Sequence, residues 1–329
     1  MYNVCLPAWR LLPFVAAMSL LPALANADNN VISVTHENDG LISSDDGHFT
    51  SGFELNWAFK PSPENWTQRL ATALPDSLIG QADSVAFRLV HQIYTPDDIE
   101  RSELIEDDRP YTGLVYAGMS LYEDVPIGRW QQATDLHIEA GLVGPSSLAD
   151  SIQREVHRAT NSERPNGWHH QLKDEPLLNL TMRRQWWHNV PLAGKRLAHG
   201  PGVSVALGNL NTYASAGYGV RWGDDASGIP TLTPNPSNRG RMTSTTGWQW
   251  YVFANVEGYY VAHNLTLDGN VFSSSHSVDR KEWVGEGAAG FAIAWDEWQA
   301  VFSGVQRTRE FDGQEKQDKY GAIMLSKSF

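Results

Sequence analysis

Tyr320-Gly-Ala-Ile-Met-Leu-Ser-Lys-Ser-Phe329 closes the chain as an alternating stretch that ends on an aromatic ring. Period-two alternation is the mark of a strand with two different faces. An exported chain ending on such a strand has the pattern of a bacterial outer-membrane β-barrel. One terminal Phe is weak evidence alone; its weight depends on whether the rest of the chain reads the same way and whether the chain is exported.

Export is legible at the other end. Arg10 precedes an apolar run from Leu11 to Leu24, broken only by Pro13, Ser19 and Pro22, and Ala25-Asn26-Ala27 follows. This is the order of a secretory signal, with cleavage expected before Asp28. The expected organisation is therefore a signal peptide over 1–27 and a barrel over 28–329. The run falls short of the roughly 20 residues a helical span needs, and no later stretch approaches that length without charges. Cys5, the only cysteine, falls in the signal, so the exported chain is expected to lack disulfides and thiol chemistry. With 25 Lys and Arg against 38 Asp and Glu, the formal net charge of −13 makes nucleic acid a poor partner. The 13 Trp and 11 Tyr suit rings anchored at both membrane interfaces.

Alternation recurs throughout. Leu136, Ile138, Ala140 and Leu142 alternate with Asp135, His137, Glu139 and Gly141. Phe53, Leu55, Trp57 and Phe59 alternate with Glu54, Asn56 and Ala58. Barrel strands place apolar residues toward lipid and polar residues toward the lumen, where they can pair. Strands are expected over 31–37, 50–59, 84–94, 112–123, 132–143, 177–188, 202–209, 212–223, 247–264, 282–294, 297–309 and 319–329. Twelve is an even number, as single-chain bacterial barrels require. The expected fold is all-β, a twelve-stranded antiparallel transmembrane β-barrel. A soluble β-sandwich would alternate too, but accounts for neither the aromatic load nor Phe329. With both termini in the periplasm, the loops rich in His, Asp, Glu and Arg gather on the outer rim. The short hairpin at Asp296-Glu297 falls on the periplasmic side.

The longest outer loop contains Ser147-Leu-Ala-Asp-Ser-Ile-Gln-Arg-Glu-Val-His-Arg158. Ser147 and Asp150 have capping-box spacing, and Leu148, Ile152 and Val156 form one apolar stripe, so a short rim helix is expected near 147–159. His157 stands beside that stripe. A lone loop histidine is commonly just solvated, yet imidazole is the side chain best suited to accept a proton from water near neutral pH. Glu37-Asn38-Asp39 precedes Gly40, and the group either caps a turn or supplies hard oxygen ligands to a cation such as calcium. Glu163 could complete such a site from another loop. Arg109, in Asp107-Asp-Arg-Pro-Tyr111, either pairs with the aspartates or meets a phosphate or developing oxyanion. There is no Gly-x-Ser-x-Gly elbow, zinc helix or phosphate loop. A serine nucleophile is unsupported, and histidine-activated water is the more economical mechanism.

Glu37-Asn38-Asp39, Asp107 through Gly113, Gly144-Pro145-Ser146 through His157, Gly167-Trp168, Gln171-Leu172 and Glu175-Pro176 together resemble the outer-membrane lipid A 3'-O-deacylase family. Tyr94-Thr95-Pro96, Val261-Ala262-His263, Leu267-Asp268-Gly269 and Arg309-Glu310-Phe311 extend the resemblance over nearly the whole exported chain. It implies a twelve-stranded barrel that hydrolyses the ester of the 3'-linked acyloxyacyl chain of lipid A, in a calcium-dependent reaction at the outer leaflet. It further implies His157 as general base on water, Asp39 and Glu163 as calcium ligands with Asn38 beside them, and Arg109 at phosphate or oxyanion. Thr50, in Thr50-Ser51-Gly52, is a further site candidate. The implied partners are lipopolysaccharide as substrate, the outer membrane, and the barrel-assembly machinery for insertion. Two rivals stand beside this reading: an outer-membrane phospholipase, and a non-enzymatic structural or transport barrel.

Overall fold

The computed structural model describes residues 30–42, 48–224 and 247–329; the signal expected over 1–27 lies outside them. Twelve antiparallel strands close into a barrel in simple sequence order, with β12 returning to pair with β1. The strands are β1 (Asn30–Asn38), β2 (Phe49–Phe59), β3 (Ser84–Tyr94), β4 (Thr112–Ile127), β5 (Trp130–Val143) and β6 (Glu175–Leu192). They continue as β7 (Lys195–Gly208), β8 (Asn211–Gly223), β9 (Trp248–Asn264), β10 (Trp283–Trp295), β11 (Trp298–Arg307) and β12 (Asp318–Ser328). The terminal stretch that suggested the fold closes it: Ile323 is opposite His36 on β1 and Phe302 on β11. No described helix is long and apolar enough to cross a membrane.

Alternation sorts the side chains as expected. Leu89, Leu178, Leu180, Val203, Val205 and Leu207 are exposed on the outer wall. Inside, Arg88 lies 2.6 Å from Glu139 and 3.5 Å from Glu54. Arg183 reaches Glu257 at 3.1 Å, and the Ser215 hydroxyl donates to the same carboxylate. Arg307 lies 2.9 Å from Glu286. Buried charges survive in a narrow lumen because each is paired, and breaking a pair costs more than the pair itself gains.

Strands β4 to β7 run further toward the terminal end than the sequence indicates. Pro126 and Pro191 read as strand breakers there, because proline offers no ladder donor. They instead sit opposite Gln131 and Arg196 near hairpin tips, where one missing donor is tolerated. At this end β4–β5, β6–β7 and β10–β11 turn tightly, with positive φ at Gly128, at Ala193 and Gly194, and at Asp296. The first helix, α1 (Trp66–Ala73), was not evident from the sequence. Asn65 caps it by accepting from the Thr67 amide at 3.0 Å. It folds back on the outside of the wall, where Ala71, Ile79 and Ala82 pack with Val85, Leu121 and Leu136.

Candidate functional site

At the end away from the termini, two loop segments fold back over the outer face of the wall. The first is the 3-10 turn Asp39–Leu41 that follows β1. Its seat is Gly321 of β12, where an added Cβ would come within 2.6 Å of Leu41 Cβ. The second is helix α2 (Ala149–Thr160), entered through the 3-10 turn Pro145–Ser147. It rests on Gly113 of β4, where a Cβ would lie 2.2 Å from Ser147 Oγ and 2.3 Å from Ala149 Cβ. The imidazole of His91, on β3, reaches the Ser147 carbonyl at 3.0 Å. Both segments thus need glycine beneath them, because the backbones approach too closely for any side chain.

The helix is placed as expected, but two details differ. Leu148, in the left-handed conformation, occupies the N-cap position and makes no side-chain cap. The Ser147 hydroxyl donates to the Gly144 carbonyl at 2.6 Å and accepts from the Ala149 amide at 3.4 Å, while Asp150 pairs with Arg154 instead of reaching back to Ser147. The capping box therefore does not form. The stripe Leu148, Ile152 and Val156 faces outward and is exposed. The buried row is Ala149 and Gln153, with Gln153 accepting from the Trp168 indole at 2.7 Å. His157 comes next at the same spacing of four, so it belongs to the wall-facing row and is half-buried.

His157 Nδ1–H donates to the Glu163 carbonyl at 2.6 Å. A carbonyl can only accept, so in neutral imidazole the proton sits on Nδ1 and the Nε2 lone pair is left to accept. Glu163 contributes this carbonyl while its side chain is exposed. On β1 the Asn38 amide donates to the Thr50 carbonyl at 2.6 Å, leaving Asn38 Oδ1 above Gly40. Asp39 is buried and accepts from the Gly40 amide at 2.7 Å. The Thr50 and Thr95 hydroxyls meet at 2.8 Å. Asn38 and Asp39 offer the hard oxygens calcium prefers. No group of three or more His, Cys, Asp or Glu that could hold a metal gathers among the described residues.

Arg109 is placed differently from its neighbours in the sequence reading. Its side chain is buried and turned into the lumen, donating to the Thr266 hydroxyl at 2.6 Å and lying over the Tyr94 ring. It lines a cavity of about 160 Å³ with Arg307, Glu139 and Glu310. The structure therefore links Asn38 with Thr50 and His157 with Glu163, and sets the Arg109 guanidinium on the lumen side.

A cluster that the sequence did not reveal ties two rim loops to the start of β12. His48, buried just before β2, contacts Asp108 through Nε2 at 3.2 Å and Asp318 through Nδ1 at 2.8 Å. Burial alone would lower its pKa, but the two carboxylates overcome this and hold it up at about 9, against a smaller opposing effect from Arg109. Its edge meets the Phe311 ring. The partners come from opposite ends of the chain, and no fixed spacing announces them.

A closed barrel with a charge-paired lumen, an apolar outer wall and a polar site against that wall defines an integral outer-membrane protein. The chain belongs to the family of outer membrane protein LpxR, whose model matches residues 11–329. Among solved structures it is similar to LpxR from Salmonella typhimurium, at 21% identity over 91% of this chain and 100% of that one, with a TM-score of 0.76. Two others are more distant. The KdgM porin in complex with oligogalacturonate has 7% identity over 91% of this chain and 99% of that one, TM-score 0.41. The β domain of the Bordetella autotransporter BrkA has 11% identity over 92% and 98%, TM-score 0.43. No curated protein matches.

Proposed function

We propose that the protein is a lipid A 3'-O-deacylase of the outer membrane. Family membership supports the substrate class, and one observation carries the chemistry: His157 stands in the wall-facing row of α2 with its Nδ1 proton fixed by the Glu163 carbonyl. That tautomer leaves Nε2 to take a proton from water as the water oxygen attacks the ester carbonyl. The tetrahedral intermediate then expels the sugar 3'-oxygen, which recovers the proton from the imidazolium. The products are a free fatty acid and a free hydroxyl, so protons and bonds balance.

Calcium belongs to this proposal. Asn38 and Asp39 are the residues from which it would be held, with the Glu163 carboxylate as the further candidate, and a bound ion would polarise the ester carbonyl. Thr50 acts by holding Asn38 through its carbonyl. Arg109, expected at phosphate or oxyanion, is instead buried on the lumen side, where it donates to the Thr266 hydroxyl, and is given no step in this reaction. The paired charges of the lumen favour a wall-side enzyme over a transport barrel. A phospholipase would use the same groups, so the test is substrate class: the purified protein in detergent should release 3'-linked acyl chains from lipid A and leave glycerophospholipid intact. Release from phospholipid alone would overturn the assignment.

A further inference from the structure

The other end of the barrel carries a feature that the proposed reaction does not use. The segment between β2 and β3 crosses the outside of the wall and is stapled to it. The Glu123 carboxylate accepts from the amides of Gly80 and Gln81 at 3.0 and 2.8 Å, and Asp83 donates to the Tyr122 carbonyl. Arg184 donates to the Ser77 carbonyl at 2.9 Å. These bonds fix the stretch after α1 to the outer surface, and Ala71 packs α1 itself against the same wall, at the end where Phe329 meets Asn30 and which holds both termini of the barrel.

Only one face of α1 is covered. Thr67, Gln68 and Ala71 are buried, whereas Trp66, Arg69 and Ala73 share the opposite face and are exposed, Trp66 by 54%. A large indole left uncovered on a helix that is otherwise firmly docked calls for an occupant. The surroundings name it. Trp66 lies 6.2 Å from the Phe87 ring, and Phe87 continues into Phe59 and Trp57 on the outward face of β2 and β3. That row belongs to the lipid-facing wall, at the level where barrel aromatics form an interfacial girdle. Trp66 therefore extends an existing lipid contact sideways, away from the barrel.

We propose that α1 is a membrane-surface strap whose Trp66 sits among the headgroups of the periplasmic leaflet, with Arg69 against lipid phosphate. The ligand class is glycerophospholipid, since that leaflet is opposite the face carrying α2. An indole is suited to this depth because its ring is apolar and its N–H needs a polar neighbour. The strap broadens the barrel's contact with one leaflet and fixes its height and tilt relative to the opposite one.

The test uses the full chain in a Cys5→Ser background, where each added cysteine is unique. Trp66→Cys and Ala73→Cys report from the exposed face, and Glu64→Cys, ahead of the helix, is the reference. Each is labelled with an environment-sensitive fluorophore, checked for heat-modifiable folding, and reconstituted into phosphatidylethanolamine–phosphatidylglycerol vesicles. Labels at 66 and 73 should shift to shorter wavelength on moving from detergent to vesicles. They should also lose most of their emission when the phospholipid carries a doxyl quencher near its headgroup. Labels at 66 and 73 that stay as unquenched as the label at 64 would overturn the proposal, and would indicate a face kept for water or a protein partner. Ala73→Cys keeps the test decisive if loss of Trp66 disturbs folding.

Discussion

His48→Gln removes the buried imidazole that joins the β1–β2 and β3–β4 loops to the start of β12. In the folded protein His48 is held at about 9, against 6.5 for an ordinary imidazole. Because the folded value is the higher one, the stabilisation is full below 6.5 and is lost as pH rises through about 9. The gap corresponds to roughly 3 kcal/mol. Urea unfolding of the full barrel in detergent micelles, followed from pH 6 upward, should show the wild type losing about that amount by pH 9.5. His48→Gln should start less stable and stay nearly flat over the same window, since glutamine does not titrate. Equal slopes for the two proteins would refute the assignment of the charge to His48.

Three further outcomes follow from particular contacts. Gly113→Val should leave a folded, heat-modifiable barrel but displace α2, seen as increased protease cleavage within 149–160 and loss of deacylation, because its Cβ would overlap Ser147 and Ala149. Arg88→Met strands Glu54 and Glu139 in the lumen without their cation and should destabilise the barrel by about 3–5 kcal/mol in urea unfolding. A chelator should abolish acyl release and added calcium restore it, while Asp39→Asn should shift the calcium titration to higher concentration; no effect of chelator would remove Asp39 from any metal role.

The barrel was legible because its signal is repeated: every spanning strand carries the same period-two constraint, and lipid enforces it on the outer face. Strand ends were less so, since Pro126 and Pro191 look like breakers until the partner strand shows that the ladder continues past them. Helix α2 was foreseen, yet its packing was not. An apolar stripe normally marks the buried side, but at a lipid-adjacent rim Leu148, Ile152 and Val156 can remain outside while Ala149 and Gln153 meet the wall. The candidate site was legible as residues and not as an arrangement. Nothing local in Asp107-Asp108-Arg109 shows that the guanidinium turns to the lumen and Asp108 to His48, because those partners, Thr266 and His48, arrive from distant loops. Helix α1 was hidden for a similar reason, as it packs through Ala71 on the wall and the stretch after it is held by Glu123 and Arg184 from distant strands.

The most direct test of the central claim is mass spectrometry of lipid A from cells expressing the wild-type chain or His157→Asn, with outer-membrane levels of folded protein matched. The wild type should remove the 3'-linked acyloxyacyl group and His157→Asn should leave it in place, in line with a loss of on the order of 10²–10⁴ in rate for a missing base. Lipid A that keeps its 3'-acyl group with the wild type, or loses it equally with His157→Asn, would rule out His157 as the base of a 3'-O-deacylase.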